Sequence, residues 1–430
     1  MASAICWKCF ENKNLSELVK QEGEREECSV CGEEHRSFTI ERLGELLERK
    51  LREHIRPGRE LPVLGEGDDD HVYYEQQGDP LSDWVQEVLG QYFDFEDEIV
   101  DAVVAAEDCD PRDGDIPFFD SATDYESLPV SHQRYYDEWK SVLEELKHGR
   151  RFFSLGAQSL FARLFQGVDT MMSFVKATGK HERVVWELPK ASKLYRARMC
   201  DSQTRLNQFH AHPIETVGPP PTEHARAGRM NADGVVVFYG AMDSETCLAE
   251  MRPALGGDTA VIELQTTRPL RMLDFTRLEK SYGKGLSYFQ PDFNEEVARR
   301  KFLRRLHNLI SQPVVPSREA DYVITQTMAE YLAHVHQPWF DGILFKSVQR
   351  AEGTNVVLFA AHDEGEQDVG QGKPRGERTF PIIYADKSFQ LFSTEEIKYK
   401  HRQWRLIERN GTVEVRDEDE YDDFYSGLED

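Results

Sequence analysis

Long hydrophobic runs are missing from this chain of 430 residues. A helix that spans a membrane needs about 20 consecutive apolar residues, and no segment approaches that length. The first residues also lack a basic region followed by a long apolar segment, which is the mark of a secretory signal. These two absences predict a cytoplasmic protein that has no contact with a membrane.

Positive charge is scarce, with 52 Lys and Arg residues against 78 Asp and Glu residues and a net charge of -26. Residues 61–127 hold 21 acidic side chains and a single base, and residues 417–430 hold eight acidic side chains and no base. The intervening residues 128–416 carry 40 bases against 36 acids. Because phosphate contacts provide most of the affinity for nucleic acid, a nucleic-acid partner is disfavoured. A small anionic ligand would be accepted by residues 128–416.

Cysteine is also rare, at seven residues, but four of them lie in the first 31 positions. They form two Cys-x-x-Cys pairs separated by 18 residues: Cys6, Cys9, Cys28 and Cys31. Four thiolates at this spacing can surround one Zn²⁺ ion and leave no coordination position open, so the metal would be structural. Residues 1–37 are therefore expected to form a zinc-ribbon-like unit. Disulfide bonds are the alternative, which the intracellular character of the chain disfavours.

The apolar pattern divides the rest of the chain. Leu43, Leu47 and Leu51 recur at helical spacing, and similar patterns further on predict a helical domain over residues 38–180. Short β-rich runs interrupted by helices then predict a mixed α+β domain over residues 181–365. The expected strands are Val184–Leu188, Leu194–Arg198, Val235–Tyr239, Ala260–Leu264, Gly342–Lys346 and Val356–Phe359, and the expected helices lie near Glu295–Ile310 and Thr325–His334.

Two smaller segments follow this domain. A strand-like run at Thr379–Tyr384 and the pair Asn410-Gly411, which favours a tight hairpin turn, predict a small β appendage over residues 366–416. The acidic residues 417–430 are expected to be disordered because they cannot bury enough apolar surface. The predicted fold class is thus α+β, with a zinc ribbon and a helical domain at the N-terminus.

One segment, Arg226–Tyr239, concentrates groups that suit a phosphorylated nucleotide. Arg226 or Arg229 lies beside a glycine that lets the backbone come close, and an arginine fork in this position can bind a diphosphate. The expected strand Val235–Tyr239 comes next, followed by a helix over Ser244–Arg252 with its first residue as the N-cap. Glu250 would then lie near the end of that strand.

Four segments together resemble the RES domain, a family named for its Arg, Glu and Ser residues. They are Leu194-Tyr-Arg-Ala-Arg198; Gly228-Arg-Met-Asn231 with Gly234 and Tyr239; Thr246-Cys-Leu-Ala-Glu250; and Asp341-Gly-Ile-Leu-Phe-Lys-Ser347 followed by Gly353-Thr-Asn355. The resemblance covers about residues 190–362. The N-terminal zinc and helical region is similar to a HEPN-like domain that accompanies some RES domains.

The resemblance implies a fold and an activity. Members of the family are similar to ADP-ribosyltransferases in fold and act as bacterial toxins that break down NAD⁺ at the nicotinamide–ribose bond, by phosphorolysis or hydrolysis. NAD⁺ would be the substrate, and zinc would have only a structural role. Small toxins of the family are neutralised by an antitoxin, so an antitoxin or another regulatory protein is an expected partner.

The resemblance also implies roles for individual residues. Arg196 and Arg229 would hold the diphosphate, and Tyr239 would pack near the nicotinamide or its ribose. Glu250 would hold the ribose hydroxyls and stabilise positive charge as the bond breaks. Ser347 would orient ribose or phosphate. The implied catalytic residues are Arg196, Tyr239, Glu250 and Ser347, and the implied substrate-binding residues are Arg229, Asn231 and Asn355.

Two other functions stay open at this level. The same pocket could transfer ADP-ribose to a macromolecule, which would make the protein an ADP-ribosyltransferase. The chain could also be a non-catalytic zinc-ribbon interaction protein that retains the RES fold. The choice between phosphate and water as acceptor depends on the shape of the pocket, which the sequence does not decide.

Overall fold

The computed structural model describes residues 3–64, 72–109, 116–120, 122–175, 179–281, 286–311, 322–360, 380–397, 405–409 and 412–416. The acidic segment that we predict to be disordered, residues 417–430, lies outside these ranges. Helices and strands both contribute heavily within them, which confirms the predicted α+β fold class.

The N-terminal unit consists of one helix and three strands: β1 (Ala4–Cys6), α1 (Lys13–Glu22), β2 (Glu24–Glu27) and β3 (Glu34–Thr39). Strand β3 lies between β1 and β2, and both pairings are antiparallel. Helix α1 begins after Asn12, whose side chain accepts a hydrogen bond from the amide of Leu15 at 3.3 Å. This cap satisfies one of the amides that a helix start leaves without an intrahelical partner.

The four cysteines of this unit lie together. Their Sγ atoms are all within 4.8 Å of one another, and Cys6 Sγ is 3.6 Å from Cys9 Sγ. Burial acts to raise the pKa of Cys28, but hydrogen bonds from backbone amides, among them those of Cys31 and Cys6, outweigh it and lower the pKa to about 7. The cluster is therefore close enough to bind one metal ion, as the spacing predicted.

The next part of the chain packs helices on this unit. Its elements are α2 (Ile40–His54), β4 (Ile55–Pro57), β5 (Glu60–Leu64), β6 (Val72–Gln76), β7 (Asp79–Pro80), α3 (Leu81–Leu89), α4 (Glu96–Ala105) and β8 (Asp124–Ser127). Buried side chains from Ile5 to Tyr125 form one continuous hydrophobic core, which we call the N-terminal core. The cysteine cluster and the first helices therefore share a core rather than forming separate packing units.

The following helices pack elsewhere. They belong with a hairpin in the group α5 (Gln133–His148), α6 (Leu155–Leu164), β9 (Met172–Val175) and β10 (Lys180–Arg183). Trp139 of α5 and Phe161 of α6 are buried in a second core, which also contains buried side chains of the β-rich region between Val184 and Phe359. The helices expected over residues 38–180 are thus divided between two cores, although the domain boundaries themselves stay predictions.

The β-rich region is built on one sheet of nine strands. Its strands are β11 (Val185–Leu188), β12 (Lys193–Cys200), β13 (Phe238–Ala241), β14 (Asp258–Thr266), β15 (Leu270–Asp274), β16 (Gly342–Lys346), β17 (Thr354–Leu358), β18 (Ile382–Tyr384) and β19 (Gln390–Ser393). The helices are α7 (Gln203–Ala211), α8 (Pro213–Thr216), α9 (Ser244–Met251), α10 (Phe275–Leu278), α11 (Phe293–Ser311) and α12 (Val323–Glu330).

The strand order is β11-β15-β16-β17-β13-β12-β14-β18, and β19 also pairs with β14. All neighbours are antiparallel except β15 and β16, which are parallel. Strands β18 and β19 therefore belong to the large sheet, although they lie in the segment for which we predict a separate appendage. Beyond them, β20 (Arg405–Arg409) and β21 (Thr412–Arg416) pair with Arg409 opposite Thr412, as expected for a hairpin around Asn410-Gly411.

Several predicted boundaries need correction. Strand β13 begins at Phe238 rather than Val235, because the amide of Val235 donates to Ala232 O at 3.1 Å and its carbonyl accepts from the Asn231 side chain at 2.8 Å. These bonds hold Val235 in a loop. Strand β15 was missed altogether, since only five residues follow Pro269 before α10 begins.

The two cores touch through the segment that precedes α11. Tyr288 and Phe293 stack with ring centroids 4.3 Å apart. Both pack on the buried ring of His54 in α2, at 5.1 and 4.9 Å respectively. Tyr288 also donates its hydroxyl to Glu87 Oε1 at 2.5 Å. The N-terminal core is therefore in contact with the first turn of α11.

None of the helices within the described ranges is both long and apolar enough to cross a membrane.

Gly44→Ala is expected to destabilise the N-terminal core. A Cβ at Gly44 would lie 2.6 Å from the backbone of Ala102, so α2 and α4 would have to separate. This strain costs about 1–3 kcal/mol, which exceeds the gain of about 0.5–1 kcal/mol from replacing a helical glycine. The measurement is denaturant unfolding followed by circular dichroism, with Glu41→Ala on the exposed start of α2 as the control. Unchanged stability in Gly44→Ala would contradict the close helix crossing.

Candidate active site

Strands β12 and β13 separate almost as soon as they meet. They pair only at Tyr195 and Ala241, whereas β12 pairs with β14 along its whole length. Arg196 spans the opening: its Nη1 donates to Tyr239 O at 2.6 Å, and its Nε donates to Val217 O at 2.9 Å. Burial lowers the pKa of Arg196 to about 9, and the neighbouring Arg198 acts in the same direction. The side chain is therefore still a cation at neutral pH, fixed between two strands.

Tyr239 lies beside this opening and closes a tight turn. Its hydroxyl donates to Asn231 Oδ1 at 2.8 Å and accepts from the Met230 amide at 2.9 Å. Gly228 and Asn231 form a backbone bridge across the turn. A Cβ at Gly228 would lie 2.6 Å from the Tyr239 hydroxyl, so only glycine permits this approach. Burial raises the pKa of Tyr239, which keeps the hydroxyl protonated as a donor.

Asn231 organises the backbone of the same turn. It is 3% exposed, and its Nδ2 donates to Arg226 O at 2.9 Å and to Val235 O at 2.8 Å. Because its Oδ1 also accepts from the Tyr239 hydroxyl, both the oxygen and the nitrogen of the Asn231 side chain form hydrogen bonds within the protein. The structure therefore places Asn231 as a support of the turn, and its predicted contact with substrate stays a prediction.

Arg229 is half-buried in this turn, and its charge acts on Tyr239. Helix α12 holds its backbone: Thr325 Oγ1 donates to Arg229 O at 2.6 Å, and Gln326 Nε2 donates to Gly228 O at 2.8 Å. The sequence pattern did not indicate these two contacts, because they join residues almost a hundred positions apart. Two arginines, Arg196 and Arg229, both precede Tyr239 in the chain and lie close to it in space.

Glu250 is carried by α9, whose N-cap lies one residue earlier than we predicted. Asp243 is the N-cap, with extended backbone, and its carboxylate accepts from the Thr246 amide at 2.8 Å. Ser244 is already helical and is therefore not the cap. The helix ends at Arg252, which has a left-handed backbone with φ of +46°. Glu250 lies in the last turn of α9, and its side chain reaches toward Asn355 of β17.

Two buried side chains orient the carboxylate of Glu250. Ser347 Oγ donates to Glu250 Oε1 at 2.6 Å, and Asn355 Nδ2 donates to the same oxygen at 2.8 Å. Ser347 follows β16, and its hydroxyl oxygen also accepts from the amides of Gln349 and Arg350, at 3.1 and 3.2 Å. A hydroxyl with these partners is held as an orienting group and is poorly placed to be a nucleophile.

Arg350 fastens the elements that carry Glu250 and Ser347. Its Nη1 donates to Asp243 Oδ1 at 2.7 Å, and its Nη2 donates to Glu245 Oε2 at 2.6 Å. The loop between β16 and β17 is thereby tied to the start of α9. A sequence pattern could not have indicated Arg350, because its partners lie more than 100 positions away along the chain.

The Tyr239 and Glu250 groups face the same side of the sheet. Ala241 lies opposite Asn355 in the pairing of β13 with β17. Side chains two positions apart on a strand share a face, so Tyr239 lies on the face of Ala241 and Asn355. Diagonal neighbours of this kind are typically about 7–8 Å apart. The structure thus brings a carboxylate, a phenol and Arg229 to one region. Tyr195 lies opposite Ala241 and shares this face, so Arg196 starts on the other face, where its guanidinium lies 5.6 Å from the ring centroid of Phe238.

Cys247 is the other reactive side chain next to Glu250, one turn earlier on α9. Burial raises its pKa to about 12, so the thiol stays protonated at neutral pH. A protonated thiol is a weak nucleophile.

The site therefore suits a ligand that is negatively charged at one end and develops positive charge next to a fixed carboxylate, without covalent attack by the protein.

Comparison with known proteins gives one match. No curated protein and no solved structure matches the chain. The family model of the RES domain matches residues 193–382. This range contains every predicted site residue outside the cysteine cluster, and it extends past the predicted limit of 362 to the start of β18. RES domains are known from toxin–antitoxin systems, which supports a toxin-type role and an enzyme that acts on NAD⁺. Residues 193–382 of this chain are therefore identified as a RES domain.

Proposed function

We propose that this protein cleaves NAD⁺ at the bond between nicotinamide and ribose, and so depletes NAD⁺ as a toxin or defence effector. One observation carries the proposal: inside a RES domain, Ser347 and Asn355 both donate to one oxygen of Glu250, at 2.6 and 2.8 Å. A carboxylate held in this way cannot rotate freely. It is therefore suited to stabilise charge that develops at a defined position.

Cleavage of the bond between nicotinamide and ribose develops a positive charge of this kind. When the glycosidic bond breaks, its electron pair leaves with nicotinamide, which departs as a neutral molecule, and the ribose becomes oxocarbenium-like. The negative charge of Glu250 would stabilise this cation. Its Oε2, which takes no part in the two bonds from Ser347 and Asn355, would accept from the ribose hydroxyls.

Substrate binding is assigned to the other side of the site. Arg196 and Arg229 would hold the diphosphate, with Arg196 acting as a fixed charge because two of its nitrogens already bind carbonyls. The ring of Tyr239 would pack against the nicotinamide or its ribose. Asn231 would maintain the turn that carries Arg229.

The second product depends on the acceptor. Attack of water on the ribose carbon gives ADP-ribose and a proton, whereas attack of inorganic phosphate gives ADP-ribose 1″-phosphate. Attack by a group on a macromolecule would instead attach ADP-ribose to it. The expected protein partner, an antitoxin or another regulator, stays a prediction, as does the cytoplasmic location.

Glu250→Gln is expected to lower nicotinamide release from NAD⁺ by about 100-fold or more, because it removes the stabilising charge and keeps the shape of the side chain. Purified full-length protein is incubated with NAD⁺, with and without inorganic phosphate, and the products are resolved by mass. The control is Glu187→Gln, which neutralises an exposed carboxylate on the edge strand β11.

The products distinguish the alternatives. ADP-ribose identifies water as the acceptor, and its 1″-phosphate identifies phosphate. Label from NAD⁺ that stays on protein or nucleic acid would identify a transferase instead. Equal nicotinamide release by wild type and Glu250→Gln would contradict the role of Glu250, and intact NAD⁺ in every sample would contradict the proposed activity.

Tyr239→Phe is expected to raise KM for NAD⁺ by about 3–10-fold and to change kcat less. The substitution keeps the ring but removes a hydroxyl that binds Asn231 and Met230, and a lost hydrogen bond of this kind is worth about 1 kcal/mol. Steady-state kinetics measure the effect. The control, Tyr195→Phe, removes a hydroxyl that donates to Glu263 Oε2 at 3.1 Å. A larger KM effect in the control would argue against this role of Tyr239.

We further propose that the metal of the cysteine cluster is a structural Zn²⁺. Four thiols within 4.8 Å of one another match a closed tetrahedral site. The pKa of Cys28 is lowered, whereas burial raises the pKa of Cys6 and Cys9, so the geometry carries this proposal. The residues that would hold the ion are Cys6, Cys9, Cys28 and Cys31.

Purified protein is expected to contain about one zinc per chain by elemental analysis. Cys28→Ser should lose the zinc and should make the N-terminal core more sensitive to protease, because the metal contributes folding free energy. Cys109→Ser, at a cysteine outside the cluster, should keep both properties. Zinc retained at full occupancy in Cys28→Ser would rule out the assignment.

A further inference from the structure

Strand β16 extends beyond the strand that covers its edge. Its parallel neighbour β15 ends at Asp274, which lies opposite Leu344, whereas β16 continues to Lys346. The amide of Lys346 therefore needs a partner from outside the sheet on this edge. His307 of α11 provides it, because its Nε2 accepts from the Lys346 amide at 2.9 Å.

The surroundings keep His307 in the form that can accept. An Nε2 that accepts from an amide carries no proton, so the neutral ring has its proton on Nδ1. Nδ1 lies 3.3 Å from Glu279 Oε2, and this carboxylate is also 2.5 Å from Lys346 Nζ. His307 is 2% exposed. Burial lowers its pKa against the opposing effects of Glu279 and Asp274, while Lys346 acts with burial.

Ser347 is the next residue after Lys346. Its hydroxyl donates to Glu250 Oε1 at 2.6 Å, and its amide donates to Gly353 O at 2.8 Å as the chain turns toward β17. The position of Ser347 Oγ therefore depends on where β16 ends. Lys346, the residue before Ser347, is held on one edge by His307 through its amide and on the other by its pairing with Thr354.

We infer that His307 is a positioning residue for the proposed NAD⁺ cleavage: it fixes the end of β16 so that Ser347 reaches Glu250. This inference rests on the proposed function. His307 would not touch the substrate. It acts through Lys346 and Ser347, so its loss should affect the orientation of the carboxylate in the transition state more than the binding of NAD⁺.

A matched histidine separates this role from ordinary core packing. His336 is also buried, and its ring lies against the same second core. Its Nδ1 is 3.1 Å from Pro338 O, and its Nε2 is 3.4 Å from Phe165 O. These contacts do not involve Lys346, Ser347 or Glu250. His336→Phe therefore removes a buried imidazole without disturbing the end of β16.

The test compares three variants of the full chain. His307→Phe should lower kcat for nicotinamide release by about 10–100-fold and leave KM for NAD⁺ within about 2-fold, as expected for misplacement of a group that acts in the transition state. His307→Gln restores an acceptor near the position of Nε2 and should return kcat to within about 3-fold of wild type. His336→Phe should also stay within about 3-fold.

A second measurement does not require activity. Hydrogen exchange followed by mass spectrometry should be at least about 10-fold faster in His307→Phe for peptides that contain Lys346 and Ser347, because this amide loses its acceptor. Exchange there should be unchanged in His336→Phe. If the wild type does not cleave NAD⁺, the proposed function fails, and the exchange result alone still decides whether His307 holds this segment.

Three results would overturn the inference. One is unchanged exchange of the Lys346–Ser347 segment in His307→Phe. Another is an equal loss of kcat in His307→Phe and His336→Phe, which would indicate a general effect on the core. A loss of kcat in His307→Phe that His307→Gln does not restore would likewise reject the acceptor role.

Discussion

Two hydrogen bonds to a single oxygen of Glu250 hold the candidate site together. The donors, Ser347 and Asn355, come from the end of β16 and from β17, while Glu250 comes from α9. These three elements meet because β17 lies between β16 and β13 in the large sheet, and α9 follows β13 directly in the chain. The surrounding contacts serve the same arrangement, since Arg350 ties the β16–β17 loop to the start of α9.

The other half of the site depends on close packing. Gly228 allows the hydroxyl of Tyr239 to approach the turn, and Asn231 satisfies the backbone groups that the turn leaves without partners. The guanidinium of Arg196 lies buried in the opening between β12 and β13 and donates hydrogen bonds to two backbone carbonyls. A buried cation is costly unless it is hydrogen-bonded, so these carbonyls explain how an arginine is tolerated there.

The N-terminal region is connected to this site through α11. Its core contacts Tyr288 and Phe293 at the start of that helix through His54, and His307 lies near the helix end, against Lys346. The cysteine cluster lies beside the same N-terminal core, in which Ile5 packs with the side chains of α2. The two regions thus share contacts at defined residues, and each also has a hydrophobic core of its own.

The sequence by itself determined the features that depend on local spacing or on the order of motifs. The two Cys-x-x-Cys pairs predicted a metal cluster because ligands three positions apart in a turn converge on one ion, and the four sulfurs do lie together. The order of the Arg, Glu and Ser segments identified the RES domain, and strand β16 was predicted with its observed ends, because a short apolar run between polar turns reads as a buried strand.

The tertiary structure alone decided the contacts between distant segments. No periodicity in the chain indicates that Arg350 reaches Asp243, that Thr325 holds Arg229, or that His307 accepts from Lys346. Strand β13 begins later than its apolar run because the side chain of Asn231 binds Val235 into the preceding loop. Local propensity cannot report such bonds, since they form only after the sheet and its helices have packed. The physical reason is that a hydrogen bond depends on where two atoms lie in space, and sequence distance does not fix that position.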